Sequence, residues 1–364
     1  MVAVGNTDIN EFYIGEEPVT EIWNGSTLVW PEDPLLLSAI KIEIPESLRN
    51  SGSHYCDVTF DAPYCWPDDR PGHAGEFIYS EMAYLFDVPG DITDWSVFFH
   101  EKRTVRLGTK EYIAAHPGEA FPEVYLRGYE RFSHWHSDSW AGQWRLQITT
   151  HTGDQAWAGR PILKVSGDIR ALIDYNNPST VDMPSWAFAE LFSDTGDTAC
   201  IGDASRLVLR KQGSTNGCYR YMFRGLKSLQ VAPGAIYGDT VEGAACEGMF
   251  SGCTGLTQGV EYFPATTVGI VGCRSMYNGC TSLVSGVTPS DQTLPTDAYD
   301  NMFDGCSSLI QVKCPAISAS GDSPLGNWLR GVAANGTLLR DKNSTLFYEG
   351  SPYVPNGWTV VNYN

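Results

Sequence analysis

The second half of the chain carries a hydrophobic pattern of long period. The segment Cys218-Tyr-Arg-Tyr-Met-Phe-Arg-Gly-Leu-Lys-Ser-Leu229 aligns with Cys246-Glu-Gly-Met-Phe-Ser-Gly-Cys-Thr-Gly-Leu256. Two further copies are Cys273-Arg-Ser-Met-Tyr-Asn-Gly-Cys-Thr-Ser-Leu283 and Ala298-Tyr-Asp-Asn-Met-Phe-Asp-Gly-Cys-Ser-Ser-Leu309. Met222, Met249, Met276 and Met302 recur at nearly constant steps, and Gly225, Gly252, Gly279 and Gly305 keep the same ones. Degenerate copies lie at Phe188-Ala-Glu-Leu-Phe192 and Trp328-Leu-Arg-Gly-Val332, where Gly331 falls one more such step on. This self-similarity is the mark of a solenoid: no unit can bury its apolar side alone, so neighbours stack and end units act as caps. Within a unit the pattern predicts a short helical turn that points Met and Phe inward. Gly ends that turn, and a Leu-bearing segment forms a strand. Cys253, Cys280 and Cys306 follow the Gly, where a small apolar side chain suits a tight ladder. The tail over 350–361 predicts a final strand that closes the stack.

The first half alternates over shorter runs. Apolar residues flank Asn24-Gly25 on both sides, from Phe12 to Trp23 and from Ser26 to Trp30, which predicts a β-hairpin with a type I′ turn. Two strands are not stable alone, so the hairpin needs a partner surface. Strand-like runs follow at 39–44, 58–60, 95–99, 123–127 and 144–150, separated by loops rich in Pro, Gly and Asp. The expected fold class is mainly β: a hairpin attachment module over 1–33, a β-sandwich-like domain over 34–163, and a repeat solenoid with a C-terminal cap over 164–364.

The repeat units resemble BspA-type leucine-rich repeats, found in surface and phage-encoded proteins of gut and oral bacteria. The resemblance covers about residues 164–361, opening at Val165-Ser-Gly-Asp-Ile-Arg-Ala-Leu-Ile173 and closing at Asn356-Gly-Trp358. It departs where Leu226 replaces the Cys after Gly225 and where the last copy lacks its Met-Phe pair. Both departures suit capping units. From Phe12 to Pro31, the N-terminal hairpin resembles short modules of the form I-x-x-G…V-x-x-I-x-x-G-x-x-L-V-W at the starts of phage tail and other virion proteins. These resemblances imply a bacteriophage virion structural protein of the tail or tail fibre, made in the host cytoplasm. Its attachment to other virion proteins would run through Tyr13, Ile14, Trp23 and Trp30. Its contact with a bacterial surface protein or glycan would use exposed repeat positions such as Lys227, Tyr262 and Tyr277. A capsid head-fibre or decoration protein and a bacterial BspA-like surface adhesin are the alternatives. A homo-oligomer is compatible with each.

Charge narrows the classes of partner. The chain has 364 residues, 43 of them acidic against 24 basic, for a net charge of −19. No basic stripe is present to release phosphate counterions, which argues against nucleic acid and equally against an anionic membrane surface. No run of about 18 uncharged apolar residues predicts a membrane span. The start lacks the basic and apolar segments of a leader, so the expectation is that the protein either stays in the cytoplasm that made it or leaves by lysis or a leaderless route. Residues 1–163 hold eight of the eleven tryptophans and a net charge of −14, against −5 for 164–364, so two kinds of domain meet near 163. None of the ten cysteines forms a CxxC pair, which removes zinc-ribbon and thioredoxin readings. Disulfides are not the default without a leader, and a pair between Cys56 and Cys65 stays open.

Candidate chemistry is sparse. In His134-Trp135-His136-Ser-Asp138-Ser-Trp140, alternation places His134, His136 and Asp138 on one face, a metal set if His151 came close. Trp135 and Trp140, with Trp144, are the candidates for an aromatic sugar platform. The plainer alternative is a loop or sheet edge with ordinary core tryptophans. Gly321-Asp322-Ser323 resembles an esterase nucleophile block, but the base of that family follows its nucleophile, and all seven histidines here lie at or before His151. Asp297, Asp300 and Asp304 would share a helical face, which is most simply solvated, with calcium as the minor reading. A glycan depolymerase needs a cleft with paired carboxylates, and adjacent Asp68 and Asp69 do not make one. No enzyme activity, cofactor or metal is therefore expected.

Overall fold

Alternation in Ala39-Ile-Lys-Ile-Glu-Ile44 produces the strand Ile40–Glu43, with Ile40 and Ile42 buried and Lys41 and Glu43 half-buried on its other face. The computed structural model describes residues 39–61, 103–128, 147–173, 183, 185–210 and 216–363. It also describes the short strands Tyr13–Ile14, Glu17–Pro18, Ile22–Asn24, Thr27–Trp30, Met82–Phe86 and Phe98–Phe99. The chain is mainly β with almost no helix, and its C-terminal region is a β-solenoid of about six turns. Among the described residues no helix is long and apolar enough to cross a membrane.

Strand Ile40–Glu43 sits at the middle of a seven-stranded sheet. The order is Ile236–Tyr237, Ile201–Arg210, Leu163–Asp168, Ile40–Glu43, Glu123–Gly128, Met82–Phe86 and Phe98–Phe99. Pairing is antiparallel from Leu163–Asp168 through to Phe98–Phe99 and parallel on the other side of Leu163–Asp168. That strand therefore joins the antiparallel sheet of the first half to the parallel ladder of the solenoid. The boundary expected at 163/164 falls on its first residues rather than in a linker. A three-stranded antiparallel sheet of Gln147–His151, Tyr55–Asp61 and Arg103–Gly108 completes the first half. It too reaches the solenoid, because Ile148 N donates to Leu191 O at 2.7 Å. Its Cys56, Val58 and Phe60 belong to one hydrophobic core with Ile40, Leu191 and Phe192, a core that continues to Trp358.

Each expected strand-like run contains a strand. Between residues 39 and 162 two more were not expected: Met82–Phe86 is an unbroken apolar run without alternation, and Arg103–Gly108 carries two arginines. One of these, Arg106, is neutralised across the sheet by a bidentate pair with Asp57 at 2.7 and 2.9 Å. At the N-terminus Ile22–Asn24 pairs antiparallel with Thr27–Trp30, as alternation predicts. Asn24 pairs with Thr27 and is itself a strand residue, so the tip lies one residue later than an Asn-Gly turn would place it.

The expected helical turn of each repeat is a different structure, a ribbon of overlapping turns. In 217–226 the N–H groups of Arg220, Met222, Arg224 and Leu226 donate to the carbonyl three residues back. Those of Gly217, Tyr219, Tyr221, Phe223 and Gly225 cross instead to carbonyls of the next coil, at 2.8–3.0 Å. The geometry that allows this is a positive φ at every fourth residue: Gly217, Tyr221 and Gly225, then Ala244, Gly248 and Gly252, and so on to Ser323, Asn327 and Gly331. A non-glycine residue in that region costs roughly 1–2 kcal/mol, offset here by the paired rungs. Gly248 is required for a second reason, since a Cβ there would lie 2.1 Å from the Tyr221 ring.

Side chains inside the coils stack in columns. Phe192, Phe223, Phe250, Tyr277 and Phe303 have ring centroids 5.2–5.3 Å apart and planes within 16°. Trp328 meets Phe303 edge-on, and Phe347 closes the column 5.3 Å from Trp328. Cys253, Cys280 and Cys306 each donate their S–H to the carbonyl of the ladder aromatic one coil earlier, at 3.0–3.1 Å. The final strand Trp358–Asn362 ends a four-stranded parallel sheet with Ser285–Val287, Gln311–Cys314 and Gly336–Arg340. Its Trp358 Nε1 donates to Ala333 O at 2.8 Å.

Nine of the ten cysteines lie among the described residues; all nine are buried, and no disulfide joins any two of them. Burial pushes the Cys306 thiol up to about 12 and also raises those of Cys253 and Cys280. A thiol-specific reagent at pH 8 is expected to spare these nine cysteines in the native protein. They react only once urea unfolds the chain; modification of several of them before unfolding would show that the coils open separately.

Candidate functional site

Two flanks of the solenoid differ in how their polar side chains are used. Along the turn ribbon, residues one coil apart alternate in charge: Arg220, Glu247, Arg274 and Asp300. Glu247 is only 5% exposed and accepts from Arg220 Nε at 2.7 Å and Arg274 Nε at 3.1 Å. Its hydrogen bond holds the Arg274 guanidinium above its ordinary value. Arg220 and Arg224 stack on the Tyr221 ring, each 4.5 Å from its centroid. Asp304 accepts from Arg330 Nε at 2.8 Å. Three arginines of this flank are thus paired with Glu247 and Asp304.

The residues singled out from the sequence scatter. Lys227 is exposed but reaches Asp197 at 2.6 Å. Tyr277, expected to be exposed, is fully buried: it occupies the aromatic position filled by Phe250 and Phe303 in neighbouring coils, with its hydroxyl accepting from Val260 N at 3.1 Å. Tyr262 is 38% exposed. Trp135 and Trp140, with His134, His136 and Asp138, lie outside the described residues, as do the side chains of Tyr13, Ile14, Trp23 and Trp30. Asp297, Asp300 and Asp304 share no helical face, because the segment is turn ribbon. They are half-buried rather than solvated, and burial, then the neighbouring Asp297, raises the Asp300 carboxyl. Asp322 is a rung of the stack, accepting from Asp297 N at 3.1 Å. Among the described residues, no cluster of three or more His, Cys, Asp or Glu side chains is placed to hold a metal.

One pair escaped the sequence because its members lie far apart along the chain. His54 Nδ1 lies 2.5 Å from Asp154 Oδ2, with the imidazole 5.0 Å from the Trp157 ring. This hydrogen bond holds the Asp154 carboxyl below the usual range. The pair ties its loop to the sheet.

The other flank carries a trough across four coils. One lobe, of about 460 Å³, is lined by Ser205, Val231, Ala232, Gly234, Gln258, Gly259, Glu261 and Tyr262. The adjoining lobe, of about 580 Å³, shares Gln258, Gly259 and Glu261 and continues to Val284, Ser285 and Val287. Gly259 belongs to the packing beneath the trough, since a Cβ there would meet the buried Tyr277 ring at 3.3 Å. The side chains of Ser205, Gln258, Glu261 and Ser285 make no hydrogen bond or ion pair with other described residues. At one end the Tyr262 ring lies 6.1 Å from Tyr237, which in turn sits under the Arg210 guanidinium at 5.2 Å. Of these residues the sequence marks only Tyr262. Gln258 and Glu261 carry no pattern of their own and become visible only through the stacking of the coils beside them.

Comparison with protein-family models, with curated proteins and with solved structures gives no match for this chain.

Replacing Glu247 by Gln leaves two guanidiniums facing each other across one coil. A loss of about 2 kcal/mol is expected, below the value for a fully buried pair because both arginines reach solvent. Urea denaturation checks it: the midpoint falls at constant slope, and added salt restores part of the loss.

Proposed function

We propose that the chain is a non-enzymatic binding protein whose solenoid presents its trough flank to a partner, while the N-terminal sheets cap and orient the coils. The observation that carries this reading is the contrast between flanks: one pairs Arg220 and Arg274 with Glu247 and Arg330 with Asp304, the other holds a carboxylate, an amide and hydroxyls without partners among the described residues. A stack of coils suits the task because its backbone is fixed by rungs, so outward side chains can vary without refolding. The repeats' likeness to BspA-type leucine-rich repeats and the hairpin's likeness to virion attachment modules support a place in a phage particle, at the tail or tail fibre. In that setting the hairpin joins other virion proteins and the solenoid faces the bacterial surface. The acidic net charge fits a partner that is not nucleic acid.

Antibody labelling of purified virions in electron micrographs tests the location. Label at the tail is expected. Label over the capsid would reassign the chain to a head fibre or decoration role, and bare virions beside labelled bacterial envelopes would replace the phage reading with the adhesin. Fluorescently labelled full-length chain is expected to bind host cells; cells that stay dark would remove the contact role.

A further inference from the structure

We infer that the trough is a glycan-binding site that takes a neutral oligosaccharide laid along the solenoid axis. The inference rests on the reading of this flank as a contact surface, and it names the chemical class of what is contacted. The lining supplies what vicinal hydroxyls require. The Glu261 carboxylate can accept from two neighbouring hydroxyls, the Gln258 amide both donates and accepts, and the Ser205 and Ser285 hydroxyls do either. None of these four is spent on bonds to other described residues. Beside Glu261, on the same coil, the Tyr262 ring, 38% exposed, offers an apolar face against which the C–H face of a pyranose packs, and its contact with Tyr237 on the neighbouring coil holds it in place. A free carboxylate at the centre, on a chain of net charge −19, disfavours acidic sugars and so selects neutral ones.

The spacing of the site separates sugar from peptide. Successive coils lie 5.2–5.3 Å apart, measured between ladder rings, which is close to the length of one pyranose unit along a glycan chain. A glycan following the axis therefore presents one ring to each coil it crosses, in the repeating register that the coils themselves have. An extended peptide advances about 3.3 Å per residue with side chains on alternate faces, out of step with the coils. The small residues Ala232, Gly234 and Gly259 give a shallow, polar floor rather than a pocket for an apolar anchor.

The test uses the full chain with defined tetrasaccharides of β-1,4-linked glucose, α-1,4-linked glucose and β-1,4-linked N-acetylglucosamine, and with an acidic tetrasaccharide as contrast. Saturation-transfer NMR is expected to detect at least one neutral member and not the acidic one. By calorimetry, Tyr262→Ala is expected to weaken that binding at least tenfold and Glu261→Gln several-fold. Tyr348→Ala, at a tyrosine 53% exposed and outside the trough, leaves it unchanged. All three positions are solvent-facing, and unchanged thermal unfolding of each variant shows that the fold is intact. Absence of saturation transfer from every neutral tetrasaccharide overturns the inference, as does binding that survives Tyr262→Ala. A lysine-rich peptide that binds where the sugars do not would assign the trough to protein. Host-cell binding retained by the Tyr262→Ala and Glu261→Gln variants removes the glycan site while leaving the contact role standing; loss of cell binding by the unmodified chain removes the contact role itself.

Discussion

Everything in the C-terminal half depends on how alternate backbone N–H groups are shared. In the ribbon one N–H closes a turn within its own coil and the next crosses to the adjacent coil, so each coil supplies both its own curvature and its attachment to a neighbour. A helix would have spent every N–H internally and left the coils held only by side chains. Positive φ at every fourth residue turns alternate groups sideways. With the rungs fixed, equivalent side chains have nowhere to sit but on top of one another, and the aromatic, methionine and cysteine columns follow. The cysteine thiols then satisfy carbonyls of the ladder residues that the rungs do not use.

A stack built this way has two open ends, each requiring a cover. At the start the cover is the seven-stranded sheet, whose Leu163–Asp168 strand pairs antiparallel with Ile40–Glu43 on one side and parallel with Ile201–Arg210 on the other. The first half is thus a template for the first coil as well as a neighbour to it. At the far end large aromatics take over from the ladder: Trp328 turns edge-on, Phe347 lies against it, and Tyr353 O accepts from Trp328 Nε1 at 2.8 Å.

The repeat was legible because stacking demands the same kind of side chain at the same place in each coil, and Met, Gly and Leu mark those places at steps of 26 and 27. The local conformation was not. Apolar residues four apart, as in Cys218, Met222 and Leu226, read equally as a helix face, and nothing in the side chains announces that the residues between them have positive φ. Tyr277 shows the same limit from another side: its hydroxyl suggests a surface residue, while its register with Phe250 and Phe303 puts it in the core. The strand Arg103–Gly108 was hidden because its Arg106 is paired across the sheet with Asp57. The trough was hidden because its lining comes from four coils far apart along the chain, and only Tyr262 stood out.

The ribbon also dictates where the chain can change length during evolution. Equivalent positive-φ positions run from Trp186 through Gly217, Ala244, Val271 and Asp297 to Ser323. The stretch between them is longest at the first step and shortens slightly along the stack, yet the fourfold spacing inside each ribbon is constant. One extra residue within a ribbon would reverse its parity, sending the crossing N–H groups inward and the inward ones across, and so unzip both neighbours at once. Insertions and deletions are therefore confined to the arc outside the ribbon, the part of each coil that contains the trough. The wall that must stay constant is the ribbon flank, and the arc opposite is free to lengthen, shorten and diversify coil by coil.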